Sequence, residues 1–144
     1  MATKLRFNPF IGNLDYTEDQ TFLSNSGSLV FTTNCDVSVD VEDVVIMNSG
    51  IAVQAIASSI STGRAIGLCE RKLSPTSCIV IVSGISEIGF TGLSENRDYF
   101  LSDSTPGQLI ITPPSASGSV VMKLGTALTD SSFVVNRELK VIRS

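Results

Sequence analysis

From Gly27 onward the chain is a series of short apolar runs, each closed by residues that favour turns, and this pattern limits the fold more than any other feature. Val44–Met47 is followed by Asn48-Ser49-Gly50, and Ile79–Val82 by Ser83-Gly84. Runs this short have the length of β-strands, and no stretch of about 10 to 12 residues has the period of an amphipathic helix. The pattern predicts an all-β fold, a small sandwich or barrel of short, mostly antiparallel strands.

The segment 36–42 alternates strictly between polar residues and valines. We expect a strand here with one face in water, because alternate side chains of a strand point to opposite sides. The polar side chains could instead bind Ca²⁺, which takes six to eight oxygen ligands. A strand spaces alternate side chains by about 7 Å, so a solvated face is the preferred interpretation. The polar residues are Asp36, Ser38, Asp40 and Glu42, followed by Asp43.

Pro106-Gly107 lies between the strand-like runs Tyr99–Leu101 and Leu109–Ile111. Proline fixes φ near about −65° and glycine accepts a positive φ, which are the requirements of the two central positions of a type II turn. A structural turn that closes a hairpin is therefore predicted. Further strand-like runs at 120–124, 133–136 and 139–142 would complete the sheet.

Residues 1–26 differ from the rest and are predicted to form an extended N-terminal arm, with 27–144 as the β-domain. Four of the nine aromatic residues fall in this arm, between turn formers such as Asn8-Pro9. The arm either packs on its own domain or docks into another protein with its aromatic side chains as anchors. The docking hypothesis assigns partner binding to Arg6, Phe7, Asn8, Pro9, Phe10, Leu14 and Tyr16.

The net charge of −4 and the scattered positions of the ten basic residues argue against a nucleic-acid partner. No Lys or Arg occurs between residues 7 and 63, where seven of the acidic residues lie, whereas basic residues occur near both ends. A basic terminus could contact the acidic face of a neighbouring subunit, and a plain solubility role explains the distribution equally well. The terminal basic residues are Lys4, Arg6, Arg137, Lys140 and Arg143.

The sequence contains no histidine, which removes Ser-His and Cys-His nucleophile pairs and the usual general base near neutral pH. A pair of carboxylates could still hydrolyse glycosides, but acidic residues at these spacings are typical of a surface. We therefore predict no enzymatic activity, no cofactor and no metal site. The carboxylates considered are Glu70, Glu87, Glu95, Asp98 and Asp103.

Cys35, Cys69 and Cys78 lie among apolar neighbours and lack the Cys-x-x-Cys spacing of a zinc site. We expect reduced, buried thiols, as in a protein assembled in a cytoplasm. No apolar stretch approaches the roughly 18 residues of a membrane span, and the first residues lack the apolar core of a secretory signal. Neither a membrane partner nor export is expected.

Four short motifs follow one another in the second half: GLSENRDYFLS from Gly92, then Thr105-Pro106-Gly107, then Pro113-Pro114 with Gly118, then LGTAL from Leu124. Their order resembles a β-module of phage virion proteins, in which G-L-x-x-G-x-x-Y-Y-L-S leads into T-P-G, P-P-x-x-x-G and G-x-A-L. Asn96 replaces a glycine of that pattern, which a tight turn tolerates because asparagine enters the left-handed region. The opening 6–16 is similar to an N-terminal peptide found on many phage structural proteins.

The resemblance implies a virion protein, assembled in the host cytoplasm, of the kind found in capsid decoration proteins, head fibres and tail fibres, which are commonly trimers. We expect the chain to be a homotrimeric capsid decoration (cement) protein whose arm binds the major capsid protein or another virion protein. A tail fibre or tail adaptor that faces the host surface is the alternative. A carbohydrate-binding module would need exposed aromatics on the β-domain, and tryptophan is absent.

Overall fold

The computed structural model of the chain describes residues 28–144, of which 49% lie in strands and 3% in a helix. The predicted all-β class of short, mostly antiparallel strands is therefore confirmed, and the arm predicted at 1–26 lies outside the described residues. The elements are β1 (Leu29–Asn34), β2 (Val44–Asn48), β3 (Ile51–Gln54), α1 (Ile60–Gly63), β4 (Gly67–Ser74), β5 (Ser77–Ile85), β6 (Asp98–Leu101), β7 (Leu109–Ile110), β8 (Val120–Ala127) and β9 (Phe133–Ile142).

The strands form one nine-stranded sheet in the order β3-β2-β4-β5-β9-β8-β6-β7, and β1 pairs with β5 away from this path. All pairings between these strands are antiparallel. The sheet curls into a half-barrel. Within the described part of the chain no helix is both long and apolar enough to cross a bilayer.

Turns form where the sequence places glycine or asparagine. The β2–β3 hairpin turns at Ser49 and Gly50, whose φ angles of 55° and 86° are both positive. Two positive φ angles match the right-handed twist of the strands that the turn connects. Asn96, which stands where the resembling module has glycine, also has a positive φ of 66°. The left-handed conformation expected for Asn96 is confirmed.

The strand predicted over 36–42 is wrong, because this segment is a loop between β1 and β2. The Asp36 carboxylate accepts hydrogen bonds from the Ser38 N–H at 3.1 Å and from the Ser38 hydroxyl at 2.6 Å. Short polar side chains that bind the nearby backbone in this way compete with a strand ladder. Only Val39 of the three valines is buried, and the argument against a Ca²⁺ site that relied on strand spacing no longer applies.

The curled sheet encloses a large core cluster whose biggest fully buried side chains are Phe133, Leu68, Ile81, Leu101 and Leu124. The Phe133 ring is central to this cluster, because the rings of Phe90 and Tyr99 pack against it at centroid distances of 5.6 and 5.8 Å. Such tilted contacts between aromatic rings are favourable beyond the area they bury.

A second, smaller core cluster contains all three cysteines, which are buried and free, as the sequence predicted. Burial first, and then the neighbouring thiols of Cys35 and Cys69, raises the pKa of Cys78 to about 12. Burial also raises the pKa of Cys69. The thiols of Cys69 and Cys78 are therefore protonated at neutral pH, and all three buried cysteines act as small apolar groups of the core.

Candidate functional site

The partner-binding residues that the sequence predicted, Arg6, Phe7, Asn8, Pro9, Phe10, Leu14 and Tyr16, lie outside the described residues. Pro106 and Gly107, the predicted structural turn, can be placed. The Gln108 N–H donates to the Thr105 carbonyl at 3.3 Å, and Gly107 has a φ of 75°. The turn connects β6 and β7, which pair through Phe100 and Ile110 and through Leu101 and Leu109.

The Pro106-Gly107 turn also contacts a distant part of the sheet. The Gly107 N–H donates to the Ala55 carbonyl at 2.7 Å, and the Gly107 carbonyl accepts from the Val44 N–H at 2.9 Å. These two hydrogen bonds fix the turn against β2 and the residue after β3. The turn therefore stands beside the end of the loop 36–43, which we call the acidic loop.

Asp43, the last residue of the acidic loop, connects the loop to β3. One oxygen of its carboxylate accepts from the Asp40 N–H at 2.8 Å and from the Gln54 side-chain amide at 2.9 Å. Burial raises the pKa of Asp43 above its ordinary value of 3.8, although these two hydrogen bonds oppose the rise. Asp43 is thus a half-buried carboxylate held at a defined position.

Lys72 of β4 contributes a cation to the acidic loop. Its ammonium group donates to the carbonyl oxygens of Val39 at 2.6 Å and Pro75 at 3.1 Å. The ammonium therefore fixes the loop backbone to the β4–β5 hairpin. Within residues 28–144 Lys72 is the cation that acts on the loop, whose four carboxylates are Asp36, Asp40, Glu42 and Asp43.

An open groove of about 380 Å³ lies between the acidic loop and the Pro106-Gly107 turn, and we call it the carboxylate groove. Leu93, Tyr99 and Leu109 line it together with the buried ring of Phe90. Val41, Glu42 and Asp43 form one side, and residues 105–108 form the other. The groove combines an apolar lining with carboxylates, an arrangement suited to an apolar side chain that has a cation nearby.

Tyr99 is fixed in this groove at both ends of its side chain. Its ring packs on Phe133, and its hydroxyl accepts a hydrogen bond of 2.8 Å from the Ser94 N–H. A ring held in this way loses little conformational freedom when a partner covers it, which favours recognition.

Glu42 has an unusual backbone at the edge of the carboxylate groove. Its φ of 82° is one of three positive values outside glycine among the described residues, and its N–H donates to the Cys69 carbonyl at 2.9 Å. An L-residue in this region costs about 1–2 kcal/mol. The exposed Glu42 side chain lines the edge of the groove.

A second surface, besides the carboxylate groove, is the second half of β9. We call residues 137–143 the basic ribbon. β9 pairs with β5 only from Val134 to Asn136, and among residues 28–144 its ladder partner beyond that point is β8 alone. Leu139, Val141 and Ile142 are 37%, 43% and 52% exposed. An open strand edge with apolar side chains is typical of a surface that another chain covers.

A third surface is a cleft of about 400 Å³ beside the start of β1, lined by Ser28, Val30, Ile79 and Ile85 and by acidic side chains. Glu70 and Glu87, two of the carboxylates considered for glycoside hydrolysis, meet here, because the Glu87 N–H donates to the Glu70 carboxylate. The other three are elsewhere: Glu95 is exposed before β6, Asp98 is the exposed first residue of β6, and Asp103 accepts a hydrogen bond from the Ser119 hydroxyl at 3.0 Å.

In residues 28–144 no three His, Cys, Asp or Glu side chains come together as they would to hold a metal ion. The sequence did not predict that Glu42, Asp43, Phe90 and Leu93 are neighbours in one groove. Asp43 could have been noticed, since it is an acidic residue directly before the apolar run that begins at Val44. Comparison with protein-family models, with curated protein sequences and with solved structures gave no match to this chain.

Proposed function

We propose that this protein is a structural subunit of a phage particle that acts by binding other proteins and not by catalysis. The observation that supports this most directly is the basic ribbon, an apolar strand edge left open within the described residues. Natural proteins usually protect such edges, and an edge that stays open is a surface for another chain. The phage assignment rests on the order of the motifs between Gly92 and Leu128 and on the opening 6–16.

Within that class we propose a homotrimeric capsid decoration protein whose N-terminal arm binds the major capsid protein. Three arms on one trimer would bind three equivalent sites of a symmetric shell, and multivalency would strengthen weak individual contacts by a factor of about 100 or more. Phe7, Phe10 and Tyr16 are the proposed anchors, because aromatic side chains dominate most protein interfaces. The proposal places the protein in the virion, without cofactor, nucleic acid or membrane.

The experiment that tests this function uses the full-length chain and particles of its phage that lack it. The triple variant Phe7→Ala, Phe10→Ala, Tyr16→Ala should keep its urea unfolding midpoint and its trimeric mass, and should no longer sediment with the particles. A matched triple variant, Thr3→Ala, Asn13→Ala, Thr17→Ala, changes the same arm without removing a ring and should bind normally. Equal binding by both triple variants would refute the role of the aromatic side chains.

Deletion of residues 1–16 is the stronger form of the same test, and the truncated protein should remain a folded trimer that does not attach. A tail fibre or adaptor is the second candidate, because the resembling module also occurs in tail fibres. Electron microscopy of intact particles with a gold-labelled antibody distinguishes the two functions. Label distributed over the head supports decoration, and label confined to the tail supports the alternative.

A further inference from the structure

We propose that the basic ribbon of one copy binds the carboxylate groove of a second copy, so that the copies join head to tail into a closed ring. This inference rests on the proposed self-association and specifies the two surfaces that form it. It commits to a second copy of this chain as the occupant of the groove. Charge, apolar exposure and strand geometry each support it.

The charges of the two surfaces are opposite. The ribbon contains Arg137, Lys140 and Arg143 and a single carboxylate, Glu138, whose oxygen is 3.2 Å from the Lys140 ammonium. The acidic loop beside the groove contains four carboxylates, and within residues 28–144 Lys72 is the cation that approaches it. Complementary charges of this kind speed association and set the orientation of the two chains.

The two ribbon arginines are held within their own chain, but no carboxylate of residues 28–144 forms an ion pair with either of them. The Arg137 guanidinium donates to the Ala65 carbonyl at 3.2 Å, and the Arg143 guanidinium to the Pro114 carbonyl at 3.1 Å. A carbonyl oxygen carries no net charge, and both arginines keep further N–H donors. Their fixed positions leave those donors available to carboxylates of a partner.

The apolar parts of the two surfaces also match. The ribbon presents the exposed side chains of Leu139, Val141 and Ile142. On the groove side Val41 is 42% exposed, and Leu109 is partly buried against the core. Contact between these side chains would remove apolar surface from water on both copies, which is the main favourable contribution to most protein association.

The ribbon of a chain cannot reach the groove of the same chain. β8 lies between β9 and β6 in the sheet, so the ribbon and Tyr99 of the groove are two strands apart. Two strand spacings are roughly 10 Å, and Ile142, opposite Val120, lies further away still. The ladder fixes the ribbon, so only a second copy can bring a ribbon to the groove. Contact between two different surfaces is heterologous and closes into a ring when the rotation allows.

The strained backbone of Glu42 adds a further argument. A glycine at this position would adopt a φ of 82° without strain, yet the chain has a glutamate there. Residues held in strained conformations cluster at functional positions, where the strain is retained because the side chain is needed. A role for the Glu42 carboxylate at the interface explains its presence beside the groove.

Charge reversal in the full-length protein tests the proposal. Glu42→Lys and Lys140→Glu should each weaken self-association by about tenfold or more in native mass spectrometry and sedimentation, because each places like charges together. Combining the two reversals in one chain should restore the assembly. Glu70→Lys and Arg71→Glu reverse an acidic and a basic residue outside both surfaces and should leave the assembly unchanged.

A covalent test keeps the proposal falsifiable if a reversed variant folds poorly. Full-length protein with Glu42→Cys and Lys140→Cys should form disulfide-linked dimers and closed rings on mild oxidation. Each single cysteine variant should give no closed ring. A wild-type assembly that none of the reversals weakens, together with absent cross-links, would overturn the interface and leave the proposed function standing.

Two other outcomes are also decisive. If wild-type protein is monomeric at high concentration, both the proposed trimer and this interface are wrong. If Lys4→Glu with Arg6→Glu dissolves the assembly and Lys140→Glu does not, the groove binds the arm of a second copy, and the ribbon proposal is overturned.

Discussion

Gly107 of the β6–β7 turn packs directly against Asp43 of the acidic loop. A methyl group at the α-carbon of Gly107 would lie 3.0 Å from the carboxyl carbon of Asp43, closer than side-chain packing ordinarily permits. Gly107 also has a φ of 75°. The position therefore requires glycine for two independent reasons, its backbone conformation and its contact with Asp43.

Gly107→Ala should lower the free energy of unfolding by about 1–3 kcal/mol, because it adds backbone strain and displaces Asp43. Urea unfolding of the purified variant measures the change. Gly50→Ala is the matched control, since Gly50 has a φ of 86° and open space around its α-carbon. The control carries the backbone strain alone, so equal losses in the two variants would contradict the contact with Asp43.

The pH dependence of stability should contain a contribution from Asp43. Its pKa is raised in the folded protein, so the folded state binds the proton more tightly than the unfolded state. The stabilising contribution is complete below about pH 3.8 and is lost as the pH rises through the raised pKa. Asp43→Asn should remove this loss, because the Asn side chain has no ionisable group and its oxygen can still accept from both the Asp40 N–H and the Gln54 amide. Urea midpoints from about pH 3 to pH 7 test it.

Asp98→Asn is the control of opposite sign for Asp43→Asn. A hydrogen bond from the Thr126 hydroxyl, helped by Lys123, lowers the pKa of Asp98. Its stabilising contribution is present above about pH 3.8 and is lost as the pH falls through the lowered pKa. The differences from wild type should therefore change with pH in opposite directions for the two variants, and parallel curves would refute the assignment.

The sequence predicted those parts of the fold that depend on local chemistry. Short apolar runs separated by turn formers were sufficient for the all-β class, and the Asn96 position was anticipated because asparagine tolerates a positive φ. Two runs predicted at 133–136 and 139–142 form one strand, because the two residues between them, Arg137 and Glu138, continue it, and Glu138 pairs with Lys123 of β8. The alternation of polar residues and valines over 36–42 wrongly predicted a strand, because the Asp36 and Asp43 side chains bind the backbone of this segment and hold it as a loop.

The candidate site could not be predicted from the sequence. The carboxylate groove combines 41–43, 90–93, Tyr99 and 105–109, segments that only the curled sheet brings together. The exposure of Leu139 and Val141 could not be predicted from the sequence either, because their apolar character predicts burial in a strand. They are exposed because β5 leaves the β9 ladder at Asn136. Both the carboxylate groove and the exposed ribbon result from pairing between strands that are far apart in the sequence, and no local sequence pattern predicts such pairing.

The three thiols should be unreactive in the folded protein. A pKa of about 12 leaves Cys78 with about a thousandfold less thiolate at pH 8 than an ordinary thiol of pKa 9.0, and burial blocks access to all three. Labelling with a thiol reagent at pH 8 should be negligible without urea and should reach Cys35, Cys69 and Cys78 in urea. Ser131→Cys adds an exposed thiol as a positive control. Native labelling of any of the three at the rate of that control would refute the burial.

Glu42→Gly should stabilise the fold and weaken the proposed assembly. Glycine relieves about 1–2 kcal/mol of backbone strain at a φ of 82°. It also makes the unfolded chain more flexible, which favours unfolding by about 0.4–1 kcal/mol. The free energy of unfolding should therefore rise by up to about 1 kcal/mol. Glu42→Gln is the matched variant, because it keeps the strain, loses the charge and should unfold like wild type. Both variants should self-associate less strongly. A Glu42→Gly protein that is less stable than wild type would show that the backbone at this position is not strained, and normal assembly of both would show that the carboxylate has no role.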